Sequence, residues 1–174
     1  MKNKYLAVSG LCMLLAGISI LLSEYTGAVA TKILVTTFFV IGGYLAYRFS
    51  RSITGHNVGR QFHMLQAMGM PIFGILVAML PNSLEGLTTY ATFFIMCFGL
   101  LEIGFVFMFF NTGLKVKWNI VIYRLVSGFL SVVGGLIILF GSLENQKLGL
   151  LIVGVLMAIR GLTFVLLAPK LKID

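Results

Sequence analysis

The sequence predicts an all-α integral membrane bundle of six transmembrane helices, built from three parallel two-helix hairpin repeats. Hydrophobic residues make up 59% of the chain and charged residues only 10%, far from the average soluble protein. Six segments of about 17–24 residues carry almost no charge, and at about 1.5 Å per residue each one spans a hydrocarbon core of roughly 30 Å. Similar glycine-bearing stretches recur at a spacing of about 60 residues, which indicates a repeated unit.

The predicted spans fill the chain, so a single membrane domain covers residues 1–174. Lipid admits only helices or closed barrels, and the alternating ten-residue segments of a barrel are lacking. The spans lie approximately at 5–22, 28–47, 64–80, 87–110, 120–140 and 148–168. They form repeats at about 5–48, 64–110 and 120–168. Because each repeat runs up and then down, the copies share one orientation and predict a pseudo-threefold axis along the membrane normal.

The first three spans each carry a feature that needs an explanation. The first follows Lys2 and Lys4 and looks like a signal peptide, with a possible cleavage site at 28–30. Its apolar run is longer than usual for a signal peptide and recurs in later helices, so we expect it to be retained. The second begins after a turn that contains Glu24. The third contains Pro71 near its start, which predicts a static packing bend, with a gating role as the alternative.

Small residues recur on the later spans at the spacing that brings them to one helix face. Ser127, Ser131 and Gly135 follow one another at four-residue intervals, and Gly154 and Ala158 repeat the interval in the last span. Such residues let helix backbones approach closely, which drives association in lipid. The residues predicted to pack helices together are Gly17, Gly74, Gly135, Ser127, Ser131, Gly154 and Ala158.

Positive charge is strongly biased to one side of the predicted bundle. That side holds Lys2, Lys4, Arg48, Arg51, Arg60, Lys115, Lys117, Arg124, Lys170 and Lys172. The other side holds only Lys32 and Lys147. The positive-inside rule therefore predicts cytoplasmic N- and C-termini. The bias accounts for the net charge of +8, so it predicts contact with anionic lipid headgroups at the cytoplasmic face and no nucleic-acid partner.

Glu102 and Arg160 are the charges predicted to lie well inside the spans. Both fall about 12–14 Å below the cytoplasmic helix ends, at 1.5 Å per residue. An isolated charge at such a depth costs about 2.5–3.5 kcal/mol on insertion scales, so each needs a partner. One interpretation is a buried ion pair that docks the second and third repeats. The alternatives are a proton-binding or gating site, or an Arg160 that reaches the headgroups and leaves Glu102 protonated.

Glu24, Glu85 and Glu144 lie one in each predicted outer turn, at the start of an even-numbered span. A carboxylate there complements the positive end of the helix dipole. The alternative is an acid-sensing ring that is neutralised as the external pH falls toward about 4.

The remaining residues predict neither a cofactor nor a metal site. Cys12 and Cys97 lie inside spans, which favours ordinary packing over a disulfide. His56 and His63 are predicted in a solvated loop without further metal ligands. The chain lacks a glycine-rich phosphate loop and a nucleophile elbow, so we expect no enzymatic activity.

The repeated segments read LAGISILLS (Leu15–Ser23), FGILVAMLP (Phe73–Pro81) and VGGLIILFG (Val133–Gly141). With six spans and this repeat length, the chain resembles the HdeD family of acid-resistance membrane proteins. The resemblance covers almost the entire chain, although the proline that closes the first helix of the second repeat is missing from the other two. It implies a multi-pass protein of the bacterial inner membrane, associated with survival in acid and without an established catalytic or transport activity. It assigns no functional residues.

The predicted function is therefore a non-enzymatic contribution to acid or envelope stress tolerance. One alternative is a small transporter or a proton or ion channel, with Glu102 and Arg160 in its pathway. Another is a membrane scaffold or lipid-organising subunit, which acts as a homo-oligomer or with a membrane-protein partner. Transport predicts polar residues that converge on the bundle axis, whereas a scaffold predicts a dry axis.

Overall fold

The computed structural model of the chain is all-α, and it describes residues 2–53, 57–80, 82–112, 118–141 and 146–170. The six helices of these segments are each long and apolar enough to cross a membrane, as expected of a multi-pass membrane protein. They are α1 (Lys2–Leu21), α2 (Ser23–Ser52), α3 (Asn57–Met79), α4 (Leu84–Thr112), α5 (Trp118–Gly141) and α6 (Gln146–Leu167), followed by a short 3-10 helix (Ala168–Lys170). The predicted fold class of six apolar helices is confirmed.

Helix α2 is interrupted near its start by Gly27, whose backbone has φ 79° and ψ 163°. Only glycine adopts this conformation readily, because a Cβ would collide with the backbone. The chain therefore makes a short turn over Ser23–Thr26 and enters the long helix at Ala28. That is where the sequence placed the beginning of the second span.

The two most extensive helix contacts join different predicted hairpins, because α1 packs along α6 and α2 packs along α3. Helix α1 also packs along α2 of its own hairpin, and α4 packs along α5. By comparison, α3 and α4 share few contacts, and so do α5 and α6. Helix α4 contacts α2, α3, α5 and α6, which gives it a central position. The arrangement as three hairpin repeats stays a prediction.

Glycines hold α1 and α6 together in an antiparallel pair. A Cβ on Gly17 would lie 2.6 Å from the backbone nitrogen of Ala158 and 2.8 Å from the carbonyl oxygen of Gly154. A Cβ on Gly161 would lie 2.6 Å from the carbonyl oxygen of Gly10. Because the obstructing atoms belong to the backbone, a rearrangement of side chains cannot make room for either Cβ. We call the end of the bundle at which α1 begins and α6 ends the terminal face.

The glycines that match Gly17 in the other repeats contact different helices. Gly74 lies against α2, where the Thr36 hydroxyl donates a hydrogen bond to its carbonyl oxygen at 3.0 Å. Gly135 lies against Met96 of α4. Each of the three glycines thus meets a helix of a neighbouring predicted repeat. The ring of Pro71 fits against Gly43 of α2, in agreement with a packing role for this proline.

Four phenylalanines fill the junction of α2, α3 and α4. The ring centroid of Phe39 lies 5.0 Å from that of Phe73 and 4.8 Å from that of Phe94. Phe73 stacks on Phe94 at 4.3 Å, and Phe94 lies 4.9 Å from Phe98. Edge and offset contacts of this kind are the arrangements that aromatic rings prefer. The junction is therefore tightly packed, and Phe98 connects it to the polar cluster described next.

Candidate functional site

Glu102 lies near the middle of α4 and is 3% exposed. Its Oε2 accepts a hydrogen bond from Arg124 Nη1 of α5 at 3.2 Å. Its Oε1 lies 3.9 Å from Arg160 Nη1 of α6. The structure therefore brings Glu102 and Arg160 within ion-pair distance, but the closer partner is Arg124. Charge-assisted contacts of this kind are strong when both groups are removed from water.

The sequence prediction places Arg124 among the positive charges of one side and not among the charges inside the spans, and the second part of that prediction is wrong. Its side chain is 5% exposed and lies inside the bundle. Its guanidinium carbon lies 4.5 Å from the ring centroid of Phe105 and 4.8 Å from that of Phe62. Both aromatic faces attract the cation and replace part of its hydration. Its Nε is buried without a hydrogen-bond partner among the described residues. Arg124 is thus held by one carboxylate and two aromatic rings.

Arg160 is 3% exposed and is held mainly by hydroxyl and carbonyl oxygens of α5. Its Nε and Nη2 donate to the Ser131 hydroxyl at 3.0 and 2.9 Å, and Nη2 also approaches the Ser127 carbonyl at 3.4 Å. Ser131 in turn donates to the Ser127 carbonyl at 2.8 Å. The two serines predicted as packing residues therefore also bind the arginine. The ring of Phe98 lies 5.4 Å from the guanidinium.

Helix α3 adds two polar residues that were not predicted to belong to a site. Gln66 Nε2 donates to Glu102 Oε1 at 3.5 Å, and Gln66 Oε1 lies 3.0 Å from His63 Nδ1. His63 is 5% exposed and packs edge-on against Phe49 and Phe62. Its predicted position in a solvated loop is wrong, because α3 begins at Asn57 and carries His63 into the bundle. His56 lies outside the described residues.

These residues form what we call the Glu102 cluster: His63, Gln66, Glu102, Arg124, Ser131 and Arg160. It joins α3, α4, α5 and α6 at one place inside the bundle. One carboxylate faces two guanidiniums, so the cluster carries one excess positive charge when His63 is neutral. Aromatic faces and serine oxygens surround that excess charge. Because both carboxylate oxygens contact side chains of other helices, the arrangement is suited to fixing helix positions.

The predicted outer glutamates do not share one environment. Glu24 forms an ion pair with Lys147 at 3.5 Å, and both side chains are exposed. Glu85 is exposed at the start of α4, next to Ser83, whose hydroxyl accepts a hydrogen bond from the Gly86 backbone at 3.2 Å. Glu144 lies outside the described residues. The acid-sensing ring stays a prediction.

Replacing Glu24 by glutamine should change the free energy of unfolding by no more than about 1 kcal/mol. The reason is that its ion pair with Lys147 is open to solvent, where water and salt screen the attraction. Thermal unfolding in detergent, at low and high salt, measures the effect. Lys147→Gln is the matched control and should behave alike. A much larger loss would show that this contact holds the start of α2 to α6.

Comparison with protein-family models, with curated proteins and with solved structures finds no match to this chain. The resemblance to the HdeD family therefore remains a prediction from the repeated segments.

Proposed function

We propose that this chain is a non-enzymatic, HdeD-like protein of the bacterial inner membrane that contributes to acid or envelope stress tolerance. Within that role we propose that it acts as a rigid membrane scaffold. The observation that supports the scaffold is the use of Glu102, which contacts side chains from α3, α5 and α6 at once. An intramembrane carboxylate engaged in this way serves to dock helices.

The surroundings of the arginines support the same proposal. A transport pathway needs charged groups that exchange partners with water or substrate. Here Arg124 lies between two phenylalanine rings, and Arg160 is bound by serine oxygens of α5. The phenylalanine junction of α2, α3 and α4 continues this packing away from the cluster. These features favour a dry, fixed interior, which is the property that distinguishes a scaffold from a channel.

Proton flux into proteoliposomes tests the scaffold against the transport alternative. The native protein is reconstituted under an inward acid gradient, next to Glu102→Gln and protein-free liposomes. We expect no flux above that of protein-free liposomes from either form. Size-exclusion profiles and protein-to-lipid ratios establish equal incorporation of folded protein. Flux from the native protein that disappears in Glu102→Gln would overturn the scaffold and support a proton pathway.

Survival of acid challenge tests the physiological part of the proposal. A strain that lacks this chain should lose viability at low external pH, and a copy of the native gene should restore it. A copy that encodes an unfolded variant should not. Equal survival of the deleted and native strains, under both acid and envelope stress, would contradict a role in stress tolerance.

A further inference from the structure

Lys32 is buried at the end of the bundle opposite the terminal face. It lies in α2 and is 8% exposed. Its ammonium group donates hydrogen bonds to the carbonyl oxygen of Leu80, just after α3 ends, and to Asn82 Oδ1 at 3.0 Å. Both acceptors are neutral. Among the residues that the structure describes, no carboxylate lies within ion-pair distance of Lys32.

The electrostatic balance at Lys32 is incomplete. A lysine ammonium has three donors and carries a full positive charge, and two donors are used here. The carbonyl at the end of α3 lies at the negative end of that helix, which supplies only part of a counter-charge. A buried cation in a membrane helix pairs with an anion or with backbone carbonyls, because its removal from water is costly. Among the described residues, Lys32 has only neutral oxygens as partners. A negative group at the third donor would complete the balance of charge.

A recess between α2 and α3 gives such a group access to Lys32. Its volume is about 250 Å³, below the range of roughly 300–1,000 Å³ typical of sites for drug-sized ligands. Its lining consists of Val29, Lys32, Ile33, Thr36, Thr37, Ala78 and Asn82. The threonine hydroxyls donate to backbone carbonyls, at 3.0 Å for Thr36 and 2.7 Å for Thr37. The donors left for a ligand are the third N–H of Lys32 and the amide nitrogen of Asn82.

The walls of the recess indicate where the negative group comes from. Val29 and Ile33 are 52% and 62% exposed and continue the apolar outer surface of α2. That surface faces lipid when the helix spans a membrane. A ligand that presents an oxyanion to Lys32 and alkyl groups to Val29 and Ile33 has the chemistry of a phospholipid near its headgroup. Basic pockets between transmembrane helices bind lipid headgroups on the cytoplasmic side of membranes. Lys32 offers the same attraction between ammonium and phosphate at the opposite end of the bundle.

We propose that the α2–α3 recess is a binding site for the phosphate group of a phospholipid, held by Lys32 and Asn82. This site is separate from the Glu102 cluster, and the proposal does not depend on stress tolerance or on the scaffold role.

Native mass spectrometry of the full chain, loaded with phosphatidylglycerol in mild detergent, tests the site. The variants are Lys32→Gln, which removes the charge, and Ala78→Leu, which fills the recess while leaving the hydrogen bonds of Lys32 intact. Ala78 is exposed, so a larger side chain there is compatible with folding. Lys147→Gln is the matched control, because it removes an exposed cation elsewhere. A second arm titrates inorganic phosphate in phospholipid-free detergent and follows the unfolding temperature.

The native protein and Lys147→Gln should each retain one phosphatidylglycerol that both recess variants lose. Inorganic phosphate should then raise the unfolding temperature of the native protein only slightly. If inorganic phosphate raises the unfolding temperature only when Lys32 is present, and no lipid is retained, the recess binds an oxyanion. That result would overturn the proposal that the oxyanion belongs to a phospholipid. Equal lipid retention by the native protein and Ala78→Leu, or equal losses in Lys32→Gln and Lys147→Gln, would overturn the site.

Discussion

Replacing Glu102 by glutamine should lower the free energy of unfolding by about 3–5 kcal/mol, the usual cost of breaking a buried ion pair from one side. The substitution leaves Arg124 and Arg160 without a counter-charge at 5% and 3% exposure. Two like charges then face each other inside the bundle. Denaturant titration in mixed micelles, followed by circular dichroism, measures the loss.

Arg124→Met provides the matched comparison for this result. It removes one of the two cations, so Glu102 and Arg160 remain as a neutral pair. The contacts with Phe62 and Phe105 are replaced by apolar packing. We therefore expect Arg124→Met to cost clearly less than Glu102→Gln, and the double variant to be more stable than Glu102→Gln alone. If Glu102→Gln has the same free energy of unfolding as the native protein, the stability of the bundle does not depend on the Glu102 carboxylate.

Gly161→Ala should destabilise the bundle by about 1–3 kcal/mol, the usual cost of overpacking. The added methyl group would lie 2.6 Å from the carbonyl oxygen of Gly10, so α1 and α6 must move apart. In lipid, no hydrophobic effect compensates for lost backbone contact between helices. The unfolding temperature and the denaturation midpoint in detergent both report the change.

Gly104→Ala is the control for the effect of alanine itself. Gly104 lies within α4, and a Cβ there meets no atom within 4 Å. Alanine favours the helix by up to about 1 kcal/mol over glycine, so this variant should be unchanged or slightly more stable. Equal destabilisation by Gly104→Ala and Gly161→Ala would refute the importance of the α1–α6 contact.

The number and approximate positions of the helices follow from hydropathy alone, because a membrane requires long uncharged runs. Which helices pack against each other does not follow from hydropathy. Gly17 and Gly154 could be recognised as close-packing residues, but one-dimensional spacing does not reveal that they meet each other. Such pairing depends on how the helices are arranged, and a stretch of small apolar residues is compatible with many partners.

The Glu102 cluster was predictable only in part. Glu102 and Arg160 stand out because charges are rare within apolar runs. Arg124 falls within the predicted span 120–140 and carried the same signal, which the count of positive charges on one side obscured. His63 lies one residue before a predicted boundary, where hydropathy is least informative. The contact of Ser131 with Arg160 could not be predicted from the sequence, because the spacing of Ser131 with Ser127 and Gly135 is explained equally well by helix packing alone.

The antiparallel contact of α1 with α6 has a consequence for how the protein is made. The helix that meets Gly10 and Gly17 is α6, and at about 5–20 residues per second it leaves the ribosome on the order of ten seconds after α1. During that interval the glycine face of α1 lies against lipid or against the insertion machinery. The α1–α6 contact thus forms only after synthesis has passed α6, and a chain truncated before Gln146 lacks the principal partner of α1.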